Sequence, residues 1–193
     1  MKRLFFLSIM ALALSCQKEQ DEPIISGNVL HYDGPNQSAP VLARGISYPL
    51  VKFPADEIQK RGLASQSLIE IEYYIDQNPI AAKILIFEWN DSTDNLPGTL
   101  LYEAEINNSR NRSWNKHTLS HPIQLPASGF WIAFEINAGN NDLRIMGCDP
   151  GPRHPFGDGY GLFGNNNEPG WTDFFEFSGR SVDINWNIRA VTD

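Results

Sequence analysis

From Ser67 to Asp76 apolar and polar residues take turns. Ile69, Ile71, Tyr73 and Ile75 fall on one side, Glu70, Glu72 and Asp76 on the other. In an extended chain successive side chains point to opposite faces, so a period of two predicts a half-buried β-strand. The same alternation puts Phe130, Ile132, Phe134 and Ile136 on one face of 129–137. It also puts Val182, Ile184, Trp186, Ile188 and Ala190 on one face of 182–192. Residues 82–89, Ala-Lys-Ile-Leu-Ile-Phe-Glu-Trp, are apolar on both faces, which predicts a central strand. Stretches 99–106, 113–119 and 142–148 continue the pattern, and Pro97-Gly98 closes a polar loop. A helical signal occurs only at Pro54–Lys60, where proline opens a turn and Asp56 and Glu57 follow. Many short strands separated by Gly, Pro and Asn predict an all-β, jelly-roll-like β-sandwich with one short helix.

The start of the chain does not fit that pattern. Met1-Lys2-Arg3 precedes an apolar run from Leu4 to Leu14 and then Ser15. A basic start, a short apolar core and a small residue describe a secretory signal, and the run falls short of the ~20 residues that span a bilayer. Ala13-Leu14-Ser15-Cys16 resembles a bacterial lipobox, which implies cleavage before Cys16 and a diacylglycerol thioether on it. Gln17-Lys18-Glu19-Gln20-Asp21-Glu22 resembles the export signal of Bacteroidetes surface lipoproteins, with Gln20 interrupting the acidic run. That resemblance implies a lipid-anchored protein of the outer membrane, facing the cell exterior. The expected organisation is a signal peptide at 1–15, a lipidated cysteine and acidic tether at 16–27, and one domain at 28–193. Residues 17–27 would reach at most ~35–40 Å.

Charge narrows the partners. Cleavage removes two of the 15 basic residues, so 13 stand against 23 acidic ones, a net charge of −10 rather than −8. Such a field repels phosphate backbones and anionic headgroups, which argues against nucleic acid and leaves the lipid as the only membrane contact. With Cys16 lipidated, Cys148 is the only other cysteine and has no partner for an intramolecular disulfide.

Several motifs within 28–193 point one way. They are His31-Tyr32-Asp33-Gly34, Val51-Lys52-Phe53-Pro54-Ala55-Asp56, Ile84 to Trp89, Leu96-Pro97-Gly98-Thr99, Trp114-Asn115 and the closing Asp183-Ile-Asn-Trp-Asn-Ile-Arg-Ala190. Their order resembles the jelly-roll modules of Bacteroidetes secreted proteins, often appended to proteases. The resemblance implies a β-sandwich and carries no catalytic residues with it.

Residue chemistry adds candidates for binding rather than catalysis. His117 and His121 have the spacing of a helical zinc pair but sit in a strand-like stretch beside Pro122. Glu70, Glu72, Glu88, Glu103 and Glu105 lie on predicted strands, where the plain expectation is a solvated sheet face rather than a glycosidase pair. Residues 147–171 form the most irregular stretch, and ligand contacts concentrate in loops held on a rigid scaffold. There Tyr160, Phe163 and Trp171 offer rings, with Asp149, Arg153, His154 and Asp158 as hydrogen-bonding partners. Flat apolar faces beside planar polar groups suit a sugar, whose C–H face is apolar and whose rim is hydroxyl. The competing expectation is that Phe163 and Trp171 plug one end of the sandwich. No organic cofactor is expected. For a structural calcium ion the chain offers clustered oxygens at Asp91 and Asp94, without the spacing of an EF-hand. Asp91-Ser92-Thr93 also resembles the O-glycosylation motif of Bacteroidetes exported proteins.

The expected function is therefore a non-catalytic, adhesin-like surface lipoprotein that binds a glycan or a surface or matrix protein. The alternatives are an accessory subunit docked on another envelope protein, or a glycan-active hydrolase.

Overall fold

A computed structural model of the chain describes residues 28–90, 96–163 and 169–193. The proposed lipidation site Cys16 with its tether, and the calcium candidates Asp91 and Asp94, lie outside those residues. Ten strands and two short helices follow one another: β1 (Val29–Leu30), β2 (Gly45–Pro54), α1 (Ala55–Lys60), β3 (Ser67–Ile75), β4 (Ala81–Glu88), β5 (Leu100–Glu105), β6 (Ser113–Gln124), β7 (Gly129–Gly139), β8 (Gly159–Phe163), β9 (Pro169–Asp173), α2 (Phe174–Phe177) and β10 (Ile188–Thr192). Among the described residues, no helix is long and apolar enough to cross a membrane.

The strands form two antiparallel sheets, ordered β1-β10-β3-β6 and β5-β4-β7-β2-β8-β9. Without the β8–β9 hairpin, the remaining eight strands have the interleaved order of two Greek keys, a jelly roll. The hairpin adds to the open side of β2. Pro49 in β2 has no N–H to donate and would normally mark an edge strand. β2 would be that edge had β8, which pairs Tyr160 with Pro49, not been laid beside it.

Between the sheets lies one large core. Ile71, Tyr73 and Ile75 of β3 meet Ile84 and Ile86 of β4, Phe130, Ile132, Phe134 and Ile136 of β7, and Trp186, Ile188 and Ala190 near the C-terminus. The predicted faces of β7 and of 182–192 are the ones that pack into this core, with Val182 only half-buried at its margin. Ile69 departs from its predicted face. Pairing shifts register between Leu68 and Glu70, so Leu68 enters the core and Ile69 is left half-buried at the irregularity.

Other expectations are corrected. Residues 142–148 make single bridges to Val41, Ile75, Ser38 and Trp186 in place of a continuous strand, because the segment changes partner every two residues. The ladder of the C-terminal segment covers only Ile188–Thr192, although its alternation extends upstream of it. The irregular stretch 147–171 contains β8 and the start of β9. Among the described residues there are two helices rather than one. The second, α2, is a single turn capped by Asp173, whose Oδ1 accepts the Glu176 N–H at 2.9 Å. Asp173 and Glu176 have the Asp-x-x-Glu spacing of a capping box, a signal that four residues without periodicity hide.

Candidate aromatic cleft on the large sheet

Each sheet has an outer face, and the sequence-predicted site residues divide between them. The outer side of β10 and of the segment before it carries Asp183, Asn185, Asn187 and Arg189, the polar half of the closing motif. Loops fold over this side and bury Asn185, Asn187 and Arg189, while Asp183 stays exposed. The Arg189 side chain is 1% exposed and that of Asp33 0%, with Arg189 Nη2 2.8 Å from Asp33 Oδ2. Asn187 Nδ2 donates to the same carboxylate at 2.7 Å, and the guanidinium lies 3.9 Å from the Trp114 ring centre. Asp149 Oδ1 accepts the backbone N–H groups of Gly151 and Asn185, and its Oδ2 accepts that of Gly34 at 2.8 Å. Asn185 Oδ1 in turn accepts the His154 N–H. These bonds tie the covering loops to β10 and to the segment before it, with Asn187 Oδ1 and Arg189 Nη1 left without a hydrogen-bond partner.

Four expected ligand partners are thereby engaged in the fold. Asp149 is buried in the network just described. His154 stacks on Tyr32, with ring centres 4.0 Å apart and planes 9° apart, and burial pushes its pKa down. Asp158 is fully buried, accepts the Phe175 N–H at 3.2 Å, and is pushed up to about 6, mainly by burial. Tyr160 is fully buried against Phe174 and Trp186, with its hydroxyl accepting the Ala43 N–H at 3.0 Å. The expectation that Asp149, Asp158 and Tyr160 present their groups to a ligand is corrected by this burial. Phe163 ends β8, and its side chain lies outside the described residues.

Trp171 has a different setting. It sits on β9 opposite Gly161 and lies over the outer face of the large sheet, rather than plugging the sandwich. A Cβ on Gly161 would come within 2.7 Å of the indole, so glycine makes room for the ring to lie there. Trp171 contacts Tyr48 at 5.4 Å, Trp131 at 6.0 Å and Phe87 at 6.4 Å between ring centres. Beneath it Tyr48, Leu50, Leu85, Trp131 and Ala133 form a second buried apolar cluster, partly covered by Trp89 and Phe87 as well. This layer is why 82–89 is apolar on both faces.

Beside Trp171 opens a cleft of about 390 Å³, lined by Lys52, Trp89, Pro155, Phe156, Gly159, Trp171, Thr172 and Asp173. Trp89 meets Phe156 edge-on at 5.8 Å and Trp131 at 6.0 Å. The Lys52 ammonium lies 4.3 Å from the Trp131 ring centre, a cation held on the aromatic floor. Asp173 is held from behind, its Oδ2 3.1 Å from Arg153 Nη2, while Arg153 Nε lies 3.6 Å from Asp158. Arg153 thus positions a cleft residue. The arrangement joins half-exposed aromatic rings to a cation, a carboxylate and a hydroxyl, the apolar wall with a few fixed polar groups that small-molecule sites use.

Sequence reasoning missed Lys52, Trp89, Trp131 and Phe156. The available signal was Trp131 on the supposed outer face of β7 together with Leu85 and Phe87 on that of β4, since apolar residues on both faces require a second covering layer.

The remaining candidates have ordinary partners. His117 and His121 both lie on β6 and flank Tyr102, whose hydroxyl is 2.8 Å from His117 Nε2. Glu70 and Glu72 pair with Lys116, and Glu103 with Lys83. Glu72 is buried rather than solvated. Among the described residues, no group of three or more His, Cys, Asp or Glu side chains is placed to hold a metal ion. No protein-family model matches this chain, and no curated protein matches it.

Proposed function

We propose that this protein is a lipid-anchored surface protein of the outer membrane whose β-sandwich binds glycans without transforming them. The observation that carries the reading is the cleft of Trp89, Phe156 and Trp171, lined also by Lys52, Thr172 and Asp173. A pyranose lays its C–H face on an aromatic ring and directs its hydroxyls sideways. Ring faces beside charged and hydroxyl groups meet both demands. The anchor at Cys16 accounts for the location, through the lipobox-like segment and the acidic stretch after it. On this reading the anchor does not contribute to the fold of 28–193, so Cys16→Ala is expected to release a soluble, folded protein.

The test is a glycan array probed with the Cys16→Ala protein, with and without calcium. Specific binding that is lost in Trp89→Ala and weakened in Trp171→Phe, with unfolding temperature checked for both, supports the reading. Absence of binding across the array removes it, and a protein ligand on the cell envelope becomes the reading to pursue.

A further inference from the structure

The cleft occupies one end of the large sheet's outer face, and the other end of the same face is also hollow. A recess of about 240 Å³ is lined there by Ile46 of β2, Ala81 and Lys83 of β4, Glu105 of β5, and Glu135 and Asn137 of β7, with Ile80 beside them. Pairing registers set Ala81 opposite Asn137, and Lys83 opposite both Glu105 and Glu135. These positions therefore share a face with Leu85, Phe87 and Trp131. The recess continues past the end of the sheet over Asn78, Asn107 and Ser109. Its character is the reverse of the cleft: a small apolar floor edged by carboxylates and amides.

The two hollows are aligned along β2. Ile46 lines one and Lys52 the other, six residues apart, or ~20 Å of extended chain. Between them Tyr48 donates its hydroxyl to Glu135 Oε2 at 3.1 Å, and Trp171 lies 5.4 Å from the Tyr48 ring. A single sugar fills neither the distance nor the change of chemistry from one end to the other.

Resting on the glycan-binding reading above, we infer that the ligand is an extended saccharide chain, bound internally along β2 with one segment on the aromatic cleft and another in the Ala81–Glu135 recess. The aromatic end supplies stacking, and the recess accepts hydrogen bonds from hydroxyls through Glu105, Glu135 and Asn137. This makes the protein a reader of polymer chains rather than of terminal sugars.

The experiment uses affinity gels of the Cys16→Ala protein containing xylan, mixed-linkage β-glucan, galactomannan or chondroitin. The dimer and the hexamer of the retained polymer are then titrated by calorimetry. The hexamer is expected to bind at least tenfold more tightly than the dimer. Ala81→Trp, which fills the recess from an exposed position, is expected to bring the hexamer down to the affinity of the dimer and leave the dimer unchanged. Glu105→Ala should do the same more weakly. Equal affinity for dimer and hexamer, or a hexamer indifferent to Ala81→Trp, overturns the two-segment inference while leaving a glycan site at the cleft. Binding that survives Trp89→Ala and Trp171→Ala overturns the glycan-site reading itself. Retention by none of the four polymers and no array signal removes both.

Discussion

The two outer faces of the sandwich are covered by opposite means. On the small sheet, loops 31–36 and 148–154 bring Asp33 and Asp149 over Asn185, Asn187 and Arg189 of β10 and the residues before it, with hydrogen bonds running among these side chains and to the backbone. On the large sheet the cover is aromatic, and its outermost rings remain half-exposed around a cleft. A buried polar network needs hydrogen-bonding partners, which draws its members together and closes it, although Asn187 Oδ1 and Arg189 Nη1 are left without a hydrogen-bond partner. An aromatic layer has no such requirement and can be left open at low cost. The motif residues most distinctive in the sequence therefore build the scaffold, and the open face lies across the core from them.

The sharpest way to break this contrast is Asp33→Ala. It strands Arg189 as a buried, uncompensated cation, a loss of about 3–5 kcal/mol. Urea unfolding of this variant should show a midpoint far below that of the parent, and a loss under 1 kcal/mol would contradict a structural role for the network.

Asp158 lies at the seam between the two regions and gives the next effect. Its folded pKa of about 6 stands above the ordinary aspartate value of 3.8, with burial as the largest cause. Between these values the folded state keeps a proton that the unfolded chain has released. Stability from this group is therefore fully present below about pH 4 and lost as pH rises to about 6, about 2–3 kcal/mol in all. Asp158→Asn should remove that slope from a series of melts at pH 4–7 without lowering stability at pH 7. An unchanged slope would assign the titration elsewhere.

Changes on the aromatic face should move stability less and binding more. Trp171→Ala exposes Tyr48 and Trp131 and should cost about 2 kcal/mol. Gly161→Ala places a methyl against the indole and should cost about 1 kcal/mol. It should also weaken binding by tilting the ring, as tryptophan fluorescence would report. Unaltered fluorescence and affinity would mean the ring does not depend on that glycine. The smallest effect belongs to Cys148. Burial pushes its thiol up to about 11, so iodoacetamide at pH 8 should modify it only after unfolding.

Much of the scaffold was legible in the chain. Alternation placed β3, β7 and the C-terminal segment, because a sheet with one face in the core repeats every two residues. It failed where the repeat is locally broken. The irregularity at Ile69 reverses a face without changing composition, and the changing partners of 142–148 look like a strand until the other chains are in place. The hairpin of β8 and β9 was hidden because Gly159 and Gly161 read as turn residues. Their role is to admit Leu50 and the Trp171 ring beside them. Of the expected ring donors with described side chains, Trp171 lines the cleft and Tyr160 does not, and the reason is topological: Tyr160 alternates to the core side of the same hairpin.

By itself the sequence determined the class of the fold, the faces of its longest strands and the acidic net charge, since these depend on local periodicity and composition. Tertiary structure alone decided that Lys52, Trp89, Phe156 and Trp171 stand together, and that Asp33 and Arg189 do not face solvent. Those residues are separated by tens to more than a hundred positions, and only the pairing of β2 with β7 and β8, and the return of β10 to β1, brings them within reach.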